Sequence, residues 1–155
     1  MTQYAFSHVG IQVADLERSL RFYEGLLGLP KVQQRVNTND YTRRIIGYPT
    51  AVLQMALLSF PFGAGFLEII EYQEVDKTPV DTRTANPGTC HICFYVENLD
   101  EEYVRLMAAG VDSVSAPETV TNGPLVGTRV VYLIDPDGIR VELLQTPLNL
   151  LGEKR

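Results

Sequence analysis

The chain has 155 residues, with 13 Lys and Arg against 19 Asp and Glu, a formal charge of −6, and two cysteines. That length makes one compact domain or two small modules sharing a core, able to bury roughly 70% of the extended-chain surface without disulfide staples. The acidic balance excludes phosphate-driven nucleic-acid binding, and no apolar run approaches the ~20 residues of a membrane span. With no basic leader before an apolar stretch either, a cytoplasmic protein is expected.

From Phe6 to Val13 the residues alternate, His8, Gly10 and Gln12 on one face and Val9, Ile11 and Val13 on the other, which is the period of a half-buried strand. The period then becomes helical. Leu16, Leu20, Tyr23 and Leu27, flanked by Phe22 and Leu26, form an apolar stripe, with Asp15 as N-cap, Glu17 and Arg21 as an i,i+4 pair and Gly28 as the stop. Three strands are expected next, at 31–36, 51–60 and 65–72. Between the first two, the stretch NTNDYTRRIIGYP reads as a loop. Its Tyr41, Arg43 and Arg44 offer an aromatic face and two guanidinium forks for a carboxylate or phosphate of a small-molecule substrate; the alternative is a solvated surface loop. Residues 73–88, with Pro79 and Pro87, lack either period and read as a linker.

The second half repeats the order. Ile92, Phe94 and Val96 oppose His91, Cys93 and Tyr95, and a helix runs from Asn98 through Leu99, Tyr103 and Leu106 to Gly110, with Asn98 and Glu101 spaced as a capping box. Strands are expected at 113–116, 128–134 and 139–145, the last two joined by the turn Asp135-Pro136-Asp137-Gly138. The loop at 120–127 is flexible enough to close over a ligand. Tyr95, on the His91 face, is a further candidate to line a substrate site. Cys90 and Cys93 make a C-x-x-C string, but on a strand residues three apart point to opposite faces. They read as two small buried thiols rather than a redox pair or zinc clip. The domain reading is a first module at 4–72, the linker at 73–88, a second module at 89–147 and a C-terminal tail at 148–155.

One constellation is written twice. SHVGIQVADL places His8 five residues before Val13 and eight before Leu16, and CHICFYVENL gives His91, Val96 and Leu99 the same spacing. Each half ends on a carboxylate inside an apolar strand-like run, Glu68 in FLEII and Glu142 in RVELL. The chain's two histidines are the two that obey the repeat. A lone strand His or Glu is more often a hydrogen-bonded structural residue. Two imidazoles and two carboxylates at repeat-equivalent positions instead suit a divalent ion such as Ni²⁺, Co²⁺, Zn²⁺, Mn²⁺ or Fe²⁺, with coordination positions left open.

Paired βαβββ modules of this kind resemble the vicinal oxygen chelate superfamily, which includes glyoxalase I, methylmalonyl-CoA epimerase, extradiol dioxygenases and the fosfomycin and bleomycin resistance proteins. SHVGIQVADLERSLRFYEGLLGL, CHICFYVENLDE and DPDGIRVELLQ carry the resemblance, which spans about 4–145. It implies an α+β fold in which two βαβββ modules form a metal-centred, partly open, eight-stranded barrel-like cavity with the helices outside. His8 would lie beside Glu68 and His91 beside Glu142, the four holding the metal. The activity implied is proton transfer through a metal-stabilised enediolate or enolate, as in glyoxalase I, with Glu142 the first choice and Glu68 the second for the carboxylate that moves the proton. An epimerase of methylmalonyl-CoA type is the near alternative, although that branch typically has Gln where Glu68 stands. An extradiol-type dioxygenase could use His8, His91 and Glu142 but recruits further histidines that this chain lacks. A metal-free drug-binding protein would have lost the ligands. The open sheet of each module leaves an edge to be covered, so a homodimer is expected. Whether the four ligands meet within one chain or across two is left open, as is the choice among a glutathione adduct, an acyl-CoA and a keto acid.

Overall fold

The computed structural model describes residues 2–147, so the tail read at 148–155 lies outside the described residues. The chain divides into two compact units, Met1–Pro79 and Val80–Arg155, each built on its own sheet. In the first, β1 (His8–Val13) leads into α1 (Leu16–Leu20), which runs on as a π-helical segment (Arg21–Leu26); then follow β2 (Lys31–Asn37), α2 (Asp40–Ile46), β3 (Val52–Ser59) and β4 (Phe66–Gln73). The sheet order is β1-β4-β3-β2, with β1 parallel to β4 and the other pairs antiparallel. The second unit contains β5 (His91–Tyr95), α3 (Leu99–Ala108), β6 (Asp112–Ser113), β7 (Glu118–Thr119), β8 (Arg129–Ile134) and β9 (Arg140–Gln145). Its order is β5-β9-β8-β6, β7 also pairing with β8, and β5 is parallel to β9. The fold is therefore mixed α+β, with two sheets, no closed barrel among the described residues, and the first and last long strands of each unit side by side.

Alternation places the core. Ile11 and Val13 of β1 are buried while His8, Gly10 and Gln12 are exposed, and Leu16 and Leu20 of α1 are buried with them. Leu67 and Ile69 of β4, and Val141 and Leu143 of β9, are almost free of solvent contact. Asp15 caps α1 as expected, its Oδ1 accepting the Arg18 N–H at 2.8 Å, and Asn98 Oδ1 accepts the Glu101 N–H at 3.3 Å at the start of α3. Past Leu20 the helix widens: the Leu27 N–H reaches the Phe22 carbonyl at 2.9 Å and the Leu29 N–H reaches that of Tyr23 at 3.0 Å. The wider turn lets two successive aromatics, Phe22 and Tyr23, both be buried with their rings edge-on at 4.9 Å. Glu17 does not pair with Arg21; its Oε1 accepts from Gln34 Nε2 at 2.7 Å.

Both units also cap their helices from the closing strand. The Leu16 N–H donates to Glu71 Oε2 at 2.9 Å, and the Leu99 N–H donates to Gln145 Oε1 at 2.8 Å. Glu71 and Gln145 each lie three residues after the strand glutamate, so they leave the strand on the opposite face.

Three expectations are corrected. The stretch expected as a loop between β2 and β3 contains α2, ended by Gly47 at φ +77°, because Ile46 packs on a cluster of Ala51, Leu53, Met55 and Ile70. Tertiary burial stabilises a helix too short to stand alone. The strand expected at 113–116 is replaced by the shorter β6 and β7, with Pro117, which cannot donate to a ladder, between them. Cys90 and Cys93 are free but exposed rather than buried, β5 being the edge of its sheet. No helix among the described residues is long and apolar enough to cross a membrane.

Candidate metal centre

The parallel pairing of β1 with β4 sets Gly10 across from Glu68 and His8 across from Phe66, which brings His8 and Glu68 onto one face. His8 Nε2 lies 3.4 Å from Glu68 Oε2, and Ser7 Oγ, 3.1 Å from Nδ1, fixes the other ring nitrogen. The same pairing of β5 with β9 sets Cys93 across from Glu142 and His91 across from Arg140, and His91 Nε2 lies 3.0 Å from Glu142 Oε2. In both pairs the imidazole is nearly half exposed, at 46% and 43%, while the carboxylate is mostly covered, at 17% and 15%. Each unit thus offers one imidazole nitrogen and one carboxylate oxygen together on an accessible face.

The pairs suit a metal. Two donors at right angles around an ion with bonds of about 2.1 Å stand roughly 3.0 Å apart, close to both separations. Neutral imidazole and carboxylate form the borderline-to-hard donor set that first-row divalent ions take. Among the described residues no group of three or more His, Cys, Asp or Glu assembles into a single metal-holding cluster. The unit of organisation is the two-donor pair, present twice.

The surroundings of the two carboxylates differ. Tyr132 on β8 pairs in register with Glu142 and donates its hydroxyl to Oε2 at 3.3 Å, while its ring meets His91 edge-on at 5.3 Å. Burial, with the Glu142 carboxylate beside it, raises the Tyr132 pKa above the usual phenol value. Cys93 is exposed as a residue, but its thiol is partly withdrawn from water. Burial first and the nearby Glu142 second push its pKa up to about 12. In the first unit the equivalent neighbours of Glu68 are Leu57 and Gly10, which offer no side-chain donor. Glu68 is felt instead by Tyr72, whose pKa is raised by burial, by Tyr48 and by Glu68. Tyr132 was legible in principle, since pairing outward from the Asp135-to-Gly138 turn through Ile134 and Arg140 brings Tyr132 opposite Glu142.

The other sequence candidates lie apart from the His–Glu pairs in their bonding. Tyr41 is 57% exposed on α2. Arg43 donates through Nε to the Ala51 carbonyl at 3.0 Å and has Nη1 3.6 Å from Asp40. With Arg44, Asp40, Gly47 and Pro49 it lines an open hollow of about 380 Å³. Tyr95 is 48% exposed at the end of β5, on the His91 side.

A sheet whose first and last strands run parallel, one bearing His and the other Glu, built twice in one chain, defines a duplicated α+β architecture centred on paired imidazole and carboxylate. The chain belongs to the Glyoxalase/Bleomycin resistance protein/Dioxygenase superfamily, whose sequence profile matches residues 5–143. Over 97% of its length it is 31% identical to the 2-epi-5-epi-valiolone epimerase of Actinomyces sp, covering 84% of that protein. It is 26% identical over 93% of its length to the lactoylglutathione lyase of Schizosaccharomyces pombe, and spans 48% of that lyase. Among solved structures, a glyoxalase family protein from Bacillus cereus shares the fold with a TM-score of 0.78, covering 94% of this chain and 96% of that one at 23% identity. Its relatives thus include proteins named as a lyase and as an epimerase.

Proposed function

We propose that the chain is a divalent-metal-dependent lyase or isomerase that moves a proton at a carbon next to a carbonyl of a small molecule. The observation that supports this reading most directly is the repeated pair, His8 with Glu68 and His91 with Glu142, at separations fit for ligands of one ion. His8, Glu68, His91 and Glu142 are the residues that would hold the metal, as a homodimer in the cytoplasm, the two pairs joined within one chain or across two. The ion would supply Lewis acidity, which makes the carbon next to a carbonyl acidic enough to be deprotonated near neutral pH. Glu142 is the carboxylate that takes and returns the proton, and the Tyr132 hydroxyl orients it. Tyr41, Arg43, Arg44 and Tyr95 are assigned to substrate contact. An epimerase is the second reading, favoured by the relative of that name at 31% identity.

The test begins with elemental analysis and with chelator stripping followed by addition of Ni²⁺, Co²⁺, Zn²⁺, Mn²⁺ or Fe²⁺. Stripping should lower the melting temperature and re-addition restore it, because a ligand specific to the folded state stabilises that state. Methylglyoxal with glutathione, a 2-methyl-branched acyl-CoA and a catechol then separate lyase, epimerase and dioxygenase. Glu142→Gln should abolish both turnover and solvent-deuterium incorporation while some substrate affinity remains. Failure of every metal to bind would sink the reading, and oxygen uptake with the catechol would replace it.

A further inference from the structure

Arg140 opens β9 and, among the described residues of the second unit, is an arginine that no carboxylate answers. The strand register sets it beside His91 on β5 and opposite Ile134 on β8, so it shares a face with Glu142, one alternate position away. It is half-buried. Nη1 of its guanidinium donates to the Gly138 carbonyl at 2.6 Å, and its Nε is shielded from solvent with no acceptor. Other arginines of this unit are answered by carboxylates: Arg83 by Asp81, Arg105 by Glu102 and Arg129 by Asp100. Arg129 also has a shielded Nε without an acceptor, but its Nη2 ends on Asp100 at 2.7 Å. Arg140 has only the Gly138 carbonyl among the described residues. A half-buried guanidinium left without an anion costs free energy, and an unmet donor of this kind in a folded protein points to a group that joins it from outside.

We propose that Arg140 recognises a carboxylate carried by the substrate, a few bonds from the carbon that Glu142 serves. This rests on the reading that His91 and Glu142 belong to the reaction site. Alternate residues on a strand are roughly 6.5 Å apart, which sets the scale of the separation. In this conformation the Gly138 bond holds Nη1 and the surrounding atoms shield Nε, which leaves Nη2 to a ligand; rotation about the long stem, with loss of the Gly138 bond, turns two parallel N–H bonds towards the two oxygens of a planar carboxylate. The arginines of α2 are less suited, Arg43 being committed to Ala51 and Asp40. The substrate class that follows is an oxo or hydroxy acid rather than a neutral polyol.

The experiment titrates the full chain, first metal-free and then metal-loaded, with pyruvate and with its neutral counterpart pyruvamide, followed by NMR. In the metal-free protein pyruvate should bind about ten-fold tighter than pyruvamide or better, the scale of a charge-assisted hydrogen-bonded pair. That ratio should fall to about one in Arg140→Met and be intermediate in Arg140→Lys, which keeps the charge but loses the fork; the same spectra report that each variant is folded. Equal binding of the two probes, no binding of either, or an unchanged ratio in Arg140→Met overturns the assignment. Metal uptake, measured separately, distinguishes the two ideas. A chain that prefers pyruvate through Arg140 but takes up no metal keeps this inference and loses the proposed function, whereas one that takes up metal without the preference does the reverse.

Discussion

Around Glu142, Tyr132 and Cys93 occupy the places that Leu57 and Gly10 occupy around Glu68. The duplicated carboxylates are therefore chemically unequal, with side-chain donors paired beside Glu142 and none at the equivalent positions beside Glu68. Tyr132 has its folded pKa raised above the ordinary 10.0, first by burial and then by Glu142. Its neutral form contributes stability that is whole below pH 10 and is lost as pH rises through the folded value. Tyr132→Phe should accordingly cost about 1 kcal/mol at neutral pH through the lost hydroxyl bond, and the variant should lose less stability than the parent between neutral and strongly alkaline pH. Thermal melts across that range, with phenolate absorbance as the second signal, check this. Cys93 supplies a further test, since a thiol pushed up to about 12 is protonated at pH 8. Iodoacetamide at that pH should label exposed Cys90 well before Cys93, as read by peptide mass mapping, and Glu142→Gln should speed the labelling of Cys93 only modestly because burial is the larger cause.

At the scale of elements, the bonds from Leu16 to Glu71 and from Leu99 to Gln145 tie each helix to its closing strand. Replacing either acceptor by Ala should cost about 1 kcal/mol, the worth of a helix cap, and lower Tm by roughly 2–4 °C. The two losses should add in the double variant, because the sites lie in different units. Glu71→Gln should recover most of the loss at its site, which a general charge effect would not. The long strands and the two principal helices were legible because alternation and the 3.6-residue period were strong, and His8, Glu68, His91 and Glu142 stood out as candidates because they repeat. Three features were not. The π-helical widening after Leu20 preserves the apolar stripe that announces an ordinary helix, so periodicity is blind to it. α2 depends on Ile46 meeting residues from β3 and β4, a long-range contact with little local trace. Glu71 and Gln145 act across 55 and 46 residues of sequence and look like ordinary polar ends of strands.

At the scale of the molecule, the proposed four-ligand site must be completed by joining one His–Glu pair to another. Mixing His8→Ala chains with Glu142→Ala chains separates the two ways of doing so. If each site takes its pairs from different chains, a mixed dimer regains one intact site and with it metal binding measurable by elemental analysis. Pairs drawn from a single chain would leave every site broken. A monomer by light scattering across micromolar concentrations would exclude the shared arrangement at once. The helix-capping bonds have a bearing on any such assembly. Glu68 and Glu71 leave β4 on opposite faces, as Glu142 and Gln145 leave β9, so a slip of either strand by one residue would turn the acid away from its histidine and strip the helix of its acceptor in the same motion. The scaffold thereby proofreads its own chemistry: a misaligned half forfeits stability as well as a donor, and copies that fold well are those already carrying their imidazole and carboxylate in step.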